Sequence, residues 1–279
     1  MNQEAVIEQL CELSKADDNV RVLVLNGSLV NPNVEADAYQ DVDVTCFVRD
    51  VSIFLQDRSW IRRFGKVLIM QTPDEVPGRL VYDRFAFLVQ YEDGHRIDLT
   101  VRLLHEVGDA IAEDSLSLVL LDRDGLAGTP VPTDESYWIR RPTRWAYDQC
   151  WNEFWWVSLY VVKGLRRGQM LYALDHLGIM RTMLRQMLMW DVGFATDFSV
   201  NVGKAGDRLK DYVSTDDWAG YLQTYTIPDP SALERAFEAA VRQFQDVSRR
   251  VAHQARFPDK HEQADQIRDG FSTLWQSND

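Results

Sequence analysis

The stretch Asn26–Val48, with the sequence NGSLVNPNVEADAYQDVDVTCFV, decides the fold of the first half of the chain. It follows the apolar run Val20–Leu25, which predicts a buried strand. A Gly-Ser turn and a loop rich in turn-forming residues come next. The run Val42–Val48 then alternates apolar and polar residues and predicts a second strand. The stretch therefore connects two strands of one sheet through a turn and a loop.

Two carboxylates open the second of these strands. Asp41 and Asp43 are two positions apart, so their side chains point to the same face. Two neighbouring acids repel each other, and proteins usually hold such a pair with a cation between them. Gly27 and Ser28 offer backbone N–H groups and a hydroxyl group to phosphate oxygens. This combination predicts a site for Mg²⁺ and a nucleotide.

A third carboxylate, Asp98, lies on the return strand His95–Arg102, which follows a Glu-Asp-Gly hairpin signal. Asp98 and Arg96 share one face of this strand, and apolar residues form the other. Asp98 either faces water on a half-exposed strand or joins Asp41 and Asp43 across a shared sheet. In the second case it can ligate a metal ion or accept the proton of an attacking hydroxyl group.

The rest of the sequence predicts a mixture of helices and strands in the first half and helices alone in the second half. The first part predicts a helix over residues 3–15, a helical segment over 51–60, and strands over 66–71, 84–91 and 118–121. A Gly/Pro/Asp cluster at 122–133 is the best linker candidate. Beyond it, helical periodicity predicts helices over residues 147–165, 171–190, 217–224 and 231–255. The first of these helices is expected to end at a cap formed by Lys163-Gly164.

Composition limits the classes of function. The 279 residues are 46% hydrophobic and 26% charged, which is typical of a globular chain long enough for two domains. The formal net charge of −13 argues against a nucleic-acid partner and is compatible with a cationic small substrate or with a solvated acidic surface. Without a signal-peptide pattern or a long apolar run, we expect a cytoplasmic protein that does not span a membrane.

Other nucleotide and metal motifs are missing from the sequence. There is no P-loop, no GxGxxG and no HExxH, and the three cysteines and five histidines lack metal-ligand spacing. His176 is expected to be packed or hydrogen-bonded. A Mg²⁺-dependent glycosyltransferase that uses the Asp41-x-Asp43 pair stays open, although it leaves the Gly-Ser turn unexplained.

Motifs in both halves of the chain form one recognisable combination. In the first half they are Gly27-Ser28, Asn31-Pro32-Asn33, Gln40-Asp41-Val42-Asp43 and Ile97-Asp98-Leu99-Thr100. In the second half they are the segments 137–143, 152–155, 160–165 and 175–177. This combination resembles the aminoglycoside 6-adenylyltransferases (streptomycin adenylyltransferases) of the DNA polymerase beta-type nucleotidyltransferase superfamily. The resemblance implies an α/β N-terminal nucleotidyltransferase domain (a mixed sheet flanked by helices) at 1–134 and an all-α helical-bundle domain for substrate at 135–279.

The resemblance also implies a reaction. AMP passes from Mg²⁺-bound ATP to a hydroxyl group of a cationic aminoglycoside, with streptomycin 6-adenylylation as the expected case, and pyrophosphate leaves. Asp41 and Asp43 match the metal ligands of the family, Asp98 the third carboxylate and base, and Gly27 and Ser28 the phosphate-binding turn. We expect a cleft between the domains and a monomer or weak homo-oligomer. The alternatives are a different small-molecule acceptor and a non-catalytic binding protein.

One position departs from the family pattern. The family usually has Glu-Gly-Ser-Arg where this chain has Asn26-Gly27-Ser28-Leu29, so a positive charge expected at the triphosphate is missing. Lys163, Arg140 and Arg141 are candidates to replace it, and Lys163 is the one we assign to the nucleotide. The alternative for Lys163 is a cation at a helix C-terminus.

The acceptor of such a reaction carries guanidinium groups, which acids and aromatic rings bind well. The acidic candidates are Asp148, Glu153 and Asp175, and the aromatic candidates in the same region are Trp151, Trp155 and Trp156. Glu153 is favoured because it interrupts an otherwise apolar helix. The alternatives are solvent exposure for the acids and core packing for the tryptophans.

Overall fold

The computed structural model describes residues 1–79 and 81–276, with the backbone alone for 272–276. The chain divides into two compact units. The first unit is Met1–Ser136, and the second begins at Tyr137. No helix in the described ranges is both long and apolar enough to cross a membrane.

The first unit is built on a mixed sheet of six strands. The strands are β1 (Val20–Asn26), β2 (Val42–Val48), β3 (Val67–Gln71), β4 (Arg84–Tyr91), β5 (Arg96–Leu103) and β6 (Ser117–Asp122). Their order in the sheet is β3-β4-β5-β2-β1-β6. β2 and β5 run parallel, and every other neighbouring pair is antiparallel. The predicted mixed sheet is thus confirmed.

The two faces of this sheet have different surroundings. One face packs against the helix α1 (Gln3–Ala16), whose Val6 and Leu10 lie in the same buried cluster as Val44 and Leu99. The opposite face has a smaller apolar cluster, which includes Phe47. Along β2 and β5 the buried residues alternate with half-buried polar ones, because successive side chains of a strand point to opposite faces. The polar side chains are therefore directed away from the main core.

Short helical segments complete the first unit. They are α2 (Ser52–Gln56), α3 (Val107–Glu113) and 3-10 turns at Gly27–Val30, Ser59–Phe64 and Leu104–Glu106, and a further turn, Glu135–Tyr137, lies at the boundary with the second unit. The helical segment predicted over 51–60 is therefore split in two, with Asp57 as the C-cap of α2. The loop predicted from Gly27 begins with a 3-10 turn.

The second unit is helical, as predicted. Its helices are α4 (Arg144–Arg166), α5 (Met170–Ala195), α6 (Thr215–Leu222), α7 (Pro230–Ala255) and α8 (His261–Gln276). Thr143 caps α4 by accepting a hydrogen bond from the backbone N–H of Ala146 at 3.1 Å. The helix α8 is not among the predicted elements, although Ala264 and Phe271 recur there at helical spacing and are buried.

The predicted C-cap at Lys163-Gly164 is wrong. α4 continues to Arg166, and Gly164 is a buried residue inside it. A β-carbon on Gly164 would lie 2.9 Å from the β-carbon of Ala173 on α5. Gly164 is therefore at a close contact between the two helices, and a glycine inside a helix can mark close packing as well as a helix end.

Candidate active site

The pairing of β2 with β5 brings two of the predicted carboxylates together. In the parallel register Asp43 is the partner of Asp98, and Thr45 is the partner of Thr100. Asp41 lies directly before β2, two residues from Asp43. The alternation of both strands places Asp43 and Asp98 on the face opposite the main apolar cluster. The expected meeting of β2 and β5 carboxylates in one sheet is thus present in the structure.

The turn after β1 approaches Asp43 closely. Gly27 has φ +75°, and a β-carbon there would lie 2.5 Å from Oδ2 of Asp43. Its backbone N–H donates to the carbonyl oxygen of Leu116 at 3.3 Å. Ser28 follows in the 3-10 turn Gly27–Val30. The chain therefore requires glycine here for both its backbone conformation and its contact with the carboxylate.

Leu29, in the same turn, has a structural role. Its side chain packs against the apolar cluster between the sheet and α1. The chain therefore uses this position for packing and not for a positive charge.

A polar network that the sequence motifs do not indicate supports Asp43 from the side of β1. Asn26 is the partner of Asp43 in the antiparallel pairing of β1 with β2. Thr45 donates its hydroxyl to Oδ1 of Asn26 at 3.0 Å, and Asn26 donates from Nδ2 to Oγ of Ser117 at 2.9 Å. These contacts join β1, β2 and β6 near the end of the sheet where Asp41, Asp43 and Asp98 lie, which is called the carboxylate edge below. Outside those motifs, this network is indicated in the sequence by Thr45, which lies two residues after Asp43 and so points to the same face of the strand.

Arg96 is a second residue at this edge whose role the motifs do not indicate. Its Nε and one terminal nitrogen donate to the two oxygens of Asp98 at 2.8 and 2.7 Å. Its Nε lies 3.5 Å from Oδ2 of Asp41. The hydrogen bonds to Asp98, with the charges of Asp98, Asp41 and Asp43, raise the pKa of Arg96 despite its partial burial. A guanidinium group thus balances charge among the acids.

The fit of this edge to a divalent metal ion depends on its donors. Across residues 1–79 and 81–276, no three His, Cys, Asp or Glu side chains converge closely enough to hold a metal ion. The donor type nevertheless fits, since carboxylate oxygens are the ligands that Mg²⁺ prefers. In this structure the cation beside these acids is Arg96, which contacts Asp98 and Asp41. The acids therefore have the donor type that a divalent metal ion needs, while their arrangement accommodates an arginine.

In the helical unit, Glu153 lies exposed on the surface of α4. It lines a groove of about 500 Å³ together with Trp155, Trp156 and residues of α8. On its other side it lines a groove of about 650 Å³ with Trp145. An acid between exposed indole rings is a suitable partner for a guanidinium group.

Trp155 is mainly a core residue. Only 2% of it is exposed, and its ring packs edge-on against Phe154 and Phe244. Its indole Nε1 has no hydrogen-bond partner among the described residues, and the residue forms part of the wall of the 500 Å³ groove. Trp156, by contrast, is 61% exposed. The aromatic surface of this groove therefore comes mostly from Trp156, whereas Trp155 and Trp151 are buried, as the core-packing alternative states.

Asp148 already has two cationic partners. Arg144 donates to one of its oxygens at 2.6 Å, and the Nζ of Lys260 lies 2.8 Å from the other. Burial raises the pKa of Asp148, but the bonds from Lys260 and Arg144 outweigh it and lower the pKa overall. Both oxygens are occupied by internal ion pairs, so Asp148 has little capacity left for an external guanidinium.

The remaining predicted residues of the helical unit lie around an aromatic cluster. The Nζ of Lys163 lies 5.7 Å from the ring centre of Tyr160, near the end of α4. His176 contacts the rings of Tyr160 and Tyr172 and hydrogen-bonds the Tyr172 carbonyl through Nδ1 at 2.6 Å. Asp175 is exposed beside it on α5. The expectation that His176 is packed and hydrogen-bonded is confirmed.

Comparison with known proteins shows which family the sequence matches. A model described as streptomycin adenylyltransferase matches residues 1–273. An aminoglycoside 6-adenylyltransferase of Bacillus subtilis (strain 168) is 37% identical over 232 residues, 81% of each chain. One of Campylobacter jejuni is 34% identical over 256 residues, 91% of this chain and 89% of that one. A crystal structure of an aminoglycoside 6-adenyltransferase from Bacillus subtilis is 29% identical, covers 97% of both chains and has a TM-score of 0.49.

These matches define the class of the protein as a nucleotidyltransferase enzyme. The chain belongs to the streptomycin adenylyltransferase family, because the family model covers nearly its whole length. The resemblance that the sequence motifs indicated is confirmed.

Proposed function

We propose that this enzyme transfers AMP from Mg²⁺-bound ATP to a hydroxyl group of an aminoglycoside, with streptomycin modified at position 6, and releases pyrophosphate. The observation that carries the proposal is the register of Asp43 with Asp98 beside the Gly27 turn, in a chain of this family. Such a modification would inactivate the antibiotic in the cytoplasm, where ATP is available.

The chemistry follows from the residues at the sheet edge. The hydroxyl oxygen of the acceptor forms a bond to the α-phosphorus of ATP, and the bond from that phosphorus to the bridging oxygen breaks. Asp98 accepts the hydroxyl proton. Asp41, Asp43 and Asp98 would hold the metal, which supplies electrostatic stabilisation of phosphate charge when bound. Ser28 would present its hydroxyl and backbone N–H group to the phosphates, whereas the N–H of Gly27 donates to the carbonyl oxygen of Leu116 and Gly27 serves to shape the turn.

The helical unit would supply the acceptor surface. Glu153 and Trp156 line the 500 Å³ groove and can bind a guanidinium group by charge-assisted hydrogen bonds and by ring contact. Asp175 is exposed and stays a second candidate acid. The net charge of −13 favours attraction of a cationic acceptor over an anionic one.

The experiment is incubation of the protein with Mg²⁺, ATP and a panel of aminoglycosides, followed by mass spectrometry. We expect streptomycin to gain one AMP and pyrophosphate to appear in equal amount. Asp43→Asn should abolish the product while the circular dichroism spectrum stays native, and Glu35→Gln, in the exposed loop before β2, should retain activity. If AMP is added to a different aminoglycoside, the proposed acceptor must be changed from streptomycin to that compound. No AMP transfer to any compound would favour a non-catalytic binding protein.

A further inference from the structure

Arg96 and Asp98 form a two-bond fork at the carboxylate edge of the sheet. Both oxygens of Asp98 accept hydrogen bonds from Arg96, at 2.8 and 2.7 Å, and Asp41 lies 3.5 Å from the same guanidinium group. A fork of this kind is among the stronger charged contacts in proteins. Asp98 in this state has its main acceptor sites filled.

This arrangement conflicts with the role of Asp98 in the proposed reaction. A carboxylate whose two oxygens both accept from one guanidinium group is a poor metal ligand, because the oxygen lone pairs that face the guanidinium are occupied. Binding of a metal ion by Asp98 therefore requires Arg96 to leave it.

The position of Arg96 allows such a movement. Its side chain is 39% exposed, whereas that of Asp98 is 19% exposed. Its backbone is fixed at the start of β5 by pairing with Gln90 on β4. The side chain can thus turn toward solvent without disturbing the core, while its origin stays beside the carboxylates.

The same edge needs a positive charge for the triphosphate. Leu29, in the turn beside the carboxylates, packs into the apolar cluster and brings no charge to it. Arg96 is a positive charge that the fold already holds at this edge, and the guanidinium fork fits phosphate oxygens as well as it fits a carboxylate.

We propose that Arg96 is a mobile counter-cation of the active site. It neutralises Asp98 and Asp41 before substrate binds, and it moves to the phosphate oxygens of the nucleotide when the metal ion takes the carboxylates. This inference rests on the proposed function and adds a positioning residue to it. Loss of Arg96 should therefore have two opposite effects on affinity. The metal ion alone should bind more tightly, because Arg96 competes with it for the carboxylates. The nucleotide should bind more weakly in the presence of the metal, because Arg96 contacts its phosphates.

The test uses the full chain with Arg96→Gln and measures binding without turnover. Free Mn²⁺ is titrated by electron paramagnetic resonance, and an ATP analogue with a methylene bridge between the α- and β-phosphates is titrated by calorimetry in saturating Mn²⁺. Loss of a charged fork corresponds to about a tenfold change in a dissociation constant. We expect Mn²⁺ alone to bind about tenfold more tightly and the nucleotide analogue about tenfold more weakly.

Two controls separate this effect from general damage. Arg102→Gln removes another arginine of β5, one whose ion-pair partner is Glu106 at 2.6 Å, and should change neither affinity. Arg96→Lys keeps the charge and should recover part of both effects. Circular dichroism of each variant reports whether the fold is kept.

Several results would overturn the inference. In a natively folded Arg96→Gln variant, unchanged or weaker binding of Mn²⁺ alone, or unchanged affinity for the nucleotide analogue, contradicts the exchange of Arg96. Metal-dependent nucleotide binding by the unmodified protein, with no effect of the variant, overturns this inference and leaves the proposed function intact. A failure of the unmodified protein to bind the metal–nucleotide pair contradicts both.

Discussion

Gly27 and Asp43 lie so close that a β-carbon on Gly27 would be 2.5 Å from the Oδ2 atom of Asp43. Real β-carbons do not approach a carboxylate oxygen to that distance, so the glycine is what allows Asp43 its position. The φ of +75° at Gly27 adds a second requirement, since residues with a side chain rarely adopt it. The turn and the carboxylate are thus a single structural unit.

Gly27→Ala should therefore damage activity more than stability. The backbone conformation costs about 1–2 kcal/mol of unfolding free energy, because alanine is strained at positive φ. The methyl group also displaces Asp43, and displacement of a catalytic group by about 1 Å can cost about 100-fold in rate. We expect at least that loss of AMP transfer, measured beside urea unfolding. Gly128→Ala, at φ +65° with open space around it, should lose similar stability but keep activity.

Glu153→Gln tests the acceptor groove. Removal of the charge should weaken a charge-assisted hydrogen bond to a guanidinium group, which corresponds to about a 10- to 100-fold rise in the KM for the aminoglycoside. The KM for ATP should stay the same, because Glu153 is assigned to the acceptor and not to the nucleotide. The exposed Glu234 on α7 provides the control, and Glu234→Gln should change neither KM. A parallel rise in both KM values would contradict this assignment.

Gly164→Ala tests the contact between α4 and α5. The new methyl group would lie 2.9 Å from the β-carbon of Ala173 and 3.1 Å from its backbone nitrogen. Overpacking of a close helix contact costs about 1–3 kcal/mol, which urea unfolding should detect. Gly178→Ala on α5 meets only the end of the Arg181 side chain and should be neutral or stabilise by about 0.5–1 kcal/mol. Equal effects of the two changes would argue against a close contact at Gly164.

The three cysteines should differ in reactivity toward a thiol reagent in the native state. Burial raises the pKa of both Cys46 and Cys150 to about 12, and both residues are buried in the native fold. Cys11 is half-buried. We expect Cys11 alone to react measurably at pH 8 and all three thiols to react in denaturant. Cys11→Ser should remove the native reaction, and a fast native reaction in that variant would contradict the burial of the other two.

The buried thiols also predict a loss of stability at high pH. The pKa of Cys46 is raised in the folded state, so the native protein keeps the proton while the unfolded chain, with a thiol pKa of about 8.5, releases it. The contribution of Cys46 is thus fully present below about pH 8.5 and is lost as the pH rises toward 12. The free energy of unfolding in urea should fall between pH 8 and pH 10.5. Cys46→Ala should show a smaller fall.

Local sequence patterns determined much of the architecture. Apolar and polar residues alternate in Val42–Val48 and in the strand that contains Asp98. This alternation predicted which side chains face away from the core, and both strands are observed. Helical spacing likewise identified the buried face of α7. These features depend on neighbours a few residues apart, so the sequence alone contains them.

Long-range contacts decided the details of the site. The parallel register that joins Asp43 to Asp98 depends on how the chain returns through β3 and β4, which no local pattern specifies. Three other features also depend on residues far apart in the sequence or on packing. They are the fork of Arg96 onto Asp98, the ion pair of Asp148 with Lys260, and the burial of Trp155 beside an exposed Trp156. The sequence by itself determined which residues could carry the chemistry. Tertiary packing decided which of them meet, because distances across the fold follow from pairing and burial, not from separation along the chain.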